Sequence, residues 1–296
     1  MLSMLVRRAL ALLSLAAATA VPVAVSGCGS SSVSGVVDPV ARAATVSDQT
    51  SGMRVNVAMR LTASALPAPI AGSGNGTFNL ASHSGSFDFT LDLGSIPQVA
   101  ALLGTSKVRI DEILEGSTIY LKLPPALNRS PALHGKPWMK VNVGDAARAA
   151  GLSGFSSLLN NPAASDPTQL LRYLRATSGG VTKLGTATVD GFQTTHYRAR
   201  IQLDRVPDAF PPSARAQVRQ TVAALEQVTH VHSIPVDVWI DGQHLVRREN
   251  LSLDLGVAGQ SVTAAIRVDI PSYGPQPAPQ LPPASQVADL TGMAAR

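Results

Sequence analysis

Cysteine is nearly absent from this chain of 296 residues: Cys28 stands alone. No intramolecular disulfide can form, so the fold must be held by buried aliphatic side chains. Aromatic residues are scarce as well, with six Phe, four Tyr and two Trp. That supply is too thin for base-stacking platforms or aromatic sugar clefts. Lysine is rare beside arginine, and no basic run tracks along the chain to follow nucleic acid phosphates. No nucleophile elbow of the G-x-S-x-G type, phosphate loop or dinucleotide fingerprint occurs. The serines between Gly151 and Ser157 have no base beside them in a recognisable pattern. These absences speak against an enzyme, a nucleic-acid binder and a bound cofactor.

What is present begins at the lone cysteine. Residues 1–8 are short and basic, with Arg7 and Arg8; residues 9–25 are uncharged and mostly apolar; Ser26 and Gly27 are small. This is the layout of a secretory signal peptide over residues 1–27. Pro22 and the small pair argue against the rival reading, an uncleaved membrane span. Val25-Ser26-Gly27-Cys28 resembles the bacterial lipobox, in which the cysteine sulfur takes a diacylglyceryl group and becomes the new N-terminus. Two acyl chains at about 0.8 kcal/mol per methylene give stable anchoring where one does not. The resemblance implies lipidation of Cys28, with the Ser/Gly-rich residues 28–37 as a flexible tether. Removing residues 1–27 takes two arginines with them and lowers the net charge from +5 to +3.

The mature chain alternates. Asp38 and Pro39 open a helix expected over residues 38–51. From Arg54 the period changes to two, with Val55, Val57, Met59 and Leu61 on one face. Asn75-Gly76 reads as a loop, and Phe87, Phe89, Leu91 and Leu93 then alternate with Asp88, Thr90 and Asp92. Strands follow near 107–115, 117–123 and 137–143, and a helical middle runs over 145–178. Asp190-Gly191 predicts a two-residue hairpin between strands 181–189 and 192–203. A helix after Pro211-Pro212 is expected to bury Val218, Val222 and Leu225. Strands near 233–240, 245–255 and 260–271 form a last meander. The Pro-rich residues 273–296 read as a disordered tail. The expectation is an α+β chain whose residues 38–272 form one domain: a single strongly curved antiparallel sheet of about 11 strands, covered by helices.

Residues with catalytic or metal-binding chemistry have plainer readings. His230 and His232 share a strand face but lack a third ligand, and read as solvated residues at a strand entrance. His196 falls in the polar parity of its strand and reads as a surface histidine. Asp88 and Asp92 read as the wet side of the strand whose other side carries the phenylalanines.

The order of lipobox, tether, "DPVARAA" helix, "LLRYL" helix, "VDGFQTTHYRARIQLD" hairpin and "PVDVWIDGQHLVRRE" resembles the actinobacterial lipoproteins of the mycobacterial LppX and LprG group. That group, like the LolA and LolB carriers, is a half-open antiparallel barrel wrapped round helices, with an apolar cavity for acyl chains. The resemblance implies lipid or glycolipid acyl chains as partners, carriage across the envelope, and a monomer lipid-anchored at the extracytoplasmic face of the cell membrane. The cavity lining is not carried over from it. The sheet face bearing Val57, Met59, Leu61, Phe87, Phe89, Leu91, Ile119 and Leu121 is the candidate, because it is uncharged and lies early in the meander. Cavity lining and ordinary core both read as alternating aliphatics, so a structural, partner-binding or sensory lipoprotein without a lipid ligand stays open.

Overall fold

The computed structural model describes residues 39–64, 66–122, 124–125, 133–142, 180–209, 212–229, 231–257 and 260–290. Residues 1–38, with the signal, Cys28 and the tether, lie outside that set, as does the helical middle expected over 145–178.

Helix α1, Pro39–Asp48, buries Val40, Ala43, Ala44 and Ser47, the spacing of one helical face. It packs against two late strands, and Ser47 Oγ accepts the N–H of Val246 at 2.9 Å and the hydroxyl of Tyr273 at 3.3 Å. The chain then builds two antiparallel meanders. The first is β1 (Gly52–Ala63), β2 (Ile70–Asn79), β3 (Ser84–Asp92), β4 (Lys107–Glu115), β5 (Thr118–Lys122) and β6 (Trp138–Asn142). The second is β7 (Thr182–Val189), β8 (Phe192–Gln202), β9 (Ser233–Asp241), β10 (Val246–Val257) and β11 (Gln260–Tyr273). The first strand of one pairs with the last strand of the other, β1 with β11, so both meanders fuse at this seam into one open sheet. A short strand β12, Val287–Asp289, joins the free side of β6 in parallel and makes twelve strands.

Three helical elements lie between these strands among the described residues. Helix α2, Pro97–Leu103, opens on a proline and ends at Gly104, whose φ of 70° suits the left-handed cap position. A 3-10 helix, Leu203–Ala209, is followed by helix α3, Pro212–Thr229, which packs on it and on β10 through Val218. Val222 is half-buried there, and the Leu225 side chain lies outside the described set. Asp190 and Gly191 have φ of 48° and 85°, the two positive values a type I′ hairpin requires.

One core cluster joins α1, the seam and β8–β10, through residues such as Val40, Val55, Val57, Val236, Val238 and Ile270. A second lies under α2, where Ile70, Leu91, Leu93 and Val108 are buried. The α+β class and the open, curved, helix-covered antiparallel sheet are as expected. Three details differ. The sheet has twelve strands, where about eleven were expected. Asn75-Gly76 lies inside β2, paired with Asn56 and Val55 on one side and with Asp88 and Phe87 on the other. The tail from 273 is not a free end over its described part. It returns to β6 as β12, held by Lys136 Nζ on the carbonyl of Val287 (2.9 Å) and Lys140 Nζ on Asp289 Oδ2 (3.1 Å). Proline removes donors but tolerates extended backbone, so a Pro-rich segment can serve as a strap where edge pairing ends it.

Candidate functional site

The eight candidate residues share one face of one continuous stretch of sheet, β1 to β5. Across the ladder Val57 stands opposite Gly74, Gly74 opposite Phe89, and Phe89 opposite Ile110. One step along, Met59 meets Gly72, Gly72 meets Leu91, and Leu91 meets Val108. Leu61 faces Ile70, Phe87 faces Glu112, Glu112 faces Leu121, and Ile119 faces Leu114. Val57, Phe87 and Leu91 are buried; Met59, Leu61, Phe89, Ile119 and Leu121 are half-buried.

The centre of this face is made by what β2 omits. Gly72, Gly74 and Gly76 carry its three central positions, and the phenylalanines occupy the vacated space. A Cβ at Gly72 would come within 2.5 Å of Phe89 Cζ, and one at Gly76 within 2.5 Å of Phe87 Cδ2. Contacts so short force a neighbour to move: at Gly72 the Phe89 ring, and at Gly74 and Gly76 also the backbone carbonyls of Asp88 (2.2 Å) and Ser86 (2.6 Å), where a side chain is costly. The two rings lie over the glycine backbone, nearly parallel at 22° with centroids 5.9 Å apart. Aromatic rings laid across glycine shield the neighbouring backbone and supply the packing that the strand lacks. This apolar floor is packed at both ends: Val57 and Phe87 belong to the core cluster of α1 and β8–β10, and Met59, Leu61 and Phe89 pack against the cluster under α2.

One ionisable group sits in this floor. Glu112 lies in register between Phe87 and Leu121, and burial pushes its carboxyl up to about 7. Among the described residues it has no ion-pair partner. Sequence reasoning missed it because Glu112 follows Asp111 in a charged run, and only the pairing shows which of the two faces the floor. The helical middle expected over 145–178, one of the segments expected to cover the sheet, lies outside the described residues. A hollow of about 990 Å³ is lined mostly by residues of the opposite, polar face, with Met59 and Gly72 of the floor also at its wall.

The other sequence candidates have ordinary surroundings. His232 Nδ1 lies 3.3 Å from Glu226 Oε1, and His230 is outside the described set. Asp88 pairs with Arg109 at 3.3 Å, and Asp92 Oδ1 accepts the N–H of Gly94 at 2.9 Å. His196 is half-buried rather than on the surface, stacked on Trp239 with ring centroids 4.0 Å apart and its Nε2 3.4 Å from Asp237.

No protein-family model matches the sequence, and no curated protein matches it. Several solved structures are similar in fold. The lipoprotein LppX of Mycobacterium tuberculosis is 14% identical, over 81% of this chain and 95% of that one, at a TM-score of 0.42. LprF of Mycobacterium bovis is also 14% identical, over 82% and 94%, at 0.39. The MucA/MucB complex of Pseudomonas aeruginosa matches at 10% identity, over 82% and 57%, at 0.29.

Proposed function

We propose that the chain is a lipoprotein, anchored through Cys28 at the extracytoplasmic face of the membrane, that shelters lipid acyl chains on the β1–β5 floor and carries them within the envelope. The observation that supports it most is the floor itself. Phenyl rings laid over glycine, with aliphatic neighbours along β1 to β5, give a broad, mostly apolar face suited to an acyl chain, with Glu112 as its ionisable group. A chain of about sixteen carbons loses roughly 13 kcal/mol of favourable apolar contact on entering water, at 0.8 per methylene. Its passage between membranes therefore requires a protected surface of this kind. Glu112 adds a polar point in the floor. Kept largely protonated below about pH 7 by burial, it can donate a hydrogen bond to an ester or hydroxyl oxygen of the lipid.

Lipid extracted from the purified protein and counted by mass spectrometry tests the reading. An acyl lipid is expected in addition to the chains on Cys28. Met59→Trp, at a half-buried floor position, should lower that amount with little change in melting temperature. Protein that holds no lipid, and loses about 1–3 kcal/mol on the same substitution through overpacking, would show a filled core instead.

A further inference from the structure

The two ends of the sheet differ in charge. At the middle of one end lie the β1–β2 connection (residues 64–69), the β3–β4 connection with α2 (93–106), and the β10–β11 turn beyond the pair Val257 and Gln260. They are neighbours, because β4, β3, β2, β1, β11 and β10 are consecutive in the sheet order. No Asp, Glu, Lys, Arg or His occurs in residues 61–70, 93–106 or 255–266, so this line of connections is uncharged. At the other end, Glu115 closes β4, Asp190 stands in the β7–β8 turn, and Asp241 and His244 belong to the β9–β10 turn.

The uncharged line is apolar and held in place. Leu66, Ile96, Val99 and Leu103 pack on the buried cluster beneath α2. Leu102 points the other way and is 67% exposed, more than any other large apolar side chain among the described residues. Pro97 and Ala101 beside it are exposed, as are Pro67 and Ala68 on the next connection. Backbone bonds fix both connections: the N–H of Leu93 donates to the Ser106 carbonyl at 2.6 Å, and that of Ser64 to the Ser261 carbonyl at 3.0 Å. A lone surface leucine needs no explanation, whereas an uncharged line with a leucine at its crest marks a surface that meets an apolar partner.

Charge stands directly behind this line. Arg60, Ala71, Asp92 and Lys107 are in register across β1 to β4. Asp92 Oδ1 accepts the N–H of Gly94 at 2.9 Å, while Arg60 and Lys107 are exposed and have no ion-pair partner among the described residues. Three strand spacings put these two cations roughly 14 Å apart. That is too wide for one small anion, but it suits a surface that carries many phosphates.

We propose that this end of the sheet docks on a phospholipid bilayer. The β1–β2 connection and α2 enter the headgroup layer, Leu102 reaches the acyl chains, and Arg60 and Lys107 meet lipid phosphates. An apolar crest alone would suit a protein partner equally well. An uncharged crest backed by spaced cations matches the layers of a bilayer, hydrocarbon beneath phosphate. A flexible tether over residues 28–37 sets no orientation, so the surface itself must decide which end faces the membrane. The cluster beneath α2 continues into the floor through Met59, Leu61 and Phe89, so docking brings that end of the floor to the bilayer. Docking does not require that lipid be carried, and either reading can fail without the other.

Tryptophan reporters test the proposal in the full-length protein reconstituted with vesicles of phosphatidylglycerol and phosphatidylcholine whose acyl chains carry bromine, a contact quencher. Leu102→Trp and Pro67→Trp place an indole at the uncharged end, and Gln243→Trp places one in the β9–β10 turn; all three positions are exposed. The unsubstituted protein gives the background from Trp138 and Trp239. The emission added at 102 and 67 should move to shorter wavelength with vesicles and be quenched, and that added at 243 should not change. Adding Lys107→Glu, or raising the salt, should lower the quenching at 102. In the Pro67→Trp protein, Leu102→Asp should reduce the docked population about tenfold or more, with the melting temperature unchanged. Quenching that is absent at the uncharged end, or equal at both ends, would overturn the proposal. So would an indole at position 102 that is already shielded before vesicles are added, the mark of a cover supplied by the chain itself or by a second copy.

Discussion

At the scale of single residues, two buried acidic side chains differ because only one has a hydrogen-bond or ion-pair partner among the described residues. Asp241, at the β9–β10 turn, is fully engaged. Its Oδ1 accepts the N–H groups of Gln243 (2.8 Å) and Leu245 (3.0 Å), and its Oδ2 takes Arg247 Nε at 2.7 Å. Arg247 is itself buried, its guanidinium 3.6 Å from the ring centre of Phe192. Asp241→Ala would leave that charge unpaired in the core and should cost about 3–5 kcal/mol in a denaturant titration. Glu249 is 8% exposed, stands in register between Val238 and Val268, and is pushed by burial from 4.5 to about 7. Its folded value lies above its unfolded one, so the folded state holds the proton longer. Its contribution is therefore most favourable below pH 4.5 and is lost as pH rises to about 7. Glu249→Gln should stabilise the protein above pH 7, by on the order of 3 kcal/mol at most. It should also flatten the fall in melting temperature across that window. The turn at Asp241-Gly242 lies where the strands expected near 233–240 and 245–255 meet, and the Asp-Gly pair is itself a turn signal. The burial of Glu249 was not, because its neighbours Arg247, Arg248 and Asn250 are polar, and pairing alone reveals the apolar row it joins.

At the scale of elements, the same distinction decides what could be read in advance. Strands whose alternation is written in large side chains, such as Phe87, Phe89 and Leu91, show themselves directly. Strand β2 writes its alternation in glycine against Ala71, Ser73, Asn75 and Thr77. Glycine usually marks turns, and Asn75-Gly76 is a strong turn pair, so the loop reading followed from sound local chemistry that the neighbouring strands override. The floor rests on this reversal: eight of its side chains were legible, whereas the glycines that hold Phe87 and Phe89 down were not. Strand β12 was hidden for another reason, since three residues paired in parallel with a distant strand leave no periodic trace. Ending the chain after Tyr273 would bare the outer side of β6, whose five residues are all half-buried and include Trp138 and Val141. Unpaired edges of this sort recruit one another. Size-exclusion chromatography should show the truncated protein shifted to larger species relative to the full chain.

At the scale of the whole molecule, the proposed anchor and the sheet meet at α1, whose first described residue is Pro39, eleven positions beyond Cys28. Cys28→Ala should abolish incorporation of a labelled fatty acid and leave the protein either uncleaved or released from the membrane. Label retained by the variant would remove the anchor and, with it, the membrane end of the proposed carriage. The seam between β1 and β11 has a different consequence, one of timing. The first strand to leave the ribosome, and the first to cross a membrane if the chain is exported, has one neighbour nearby in β2 and must wait some two hundred residues for the other. Strand β6 waits 149 residues for β12. Each meander can zip up locally, yet the two cannot be joined until the chain is nearly complete. Through most of its synthesis the chain therefore carries an open apolar half-sheet, and export in an unfolded, chaperone-held form would spare it that exposure.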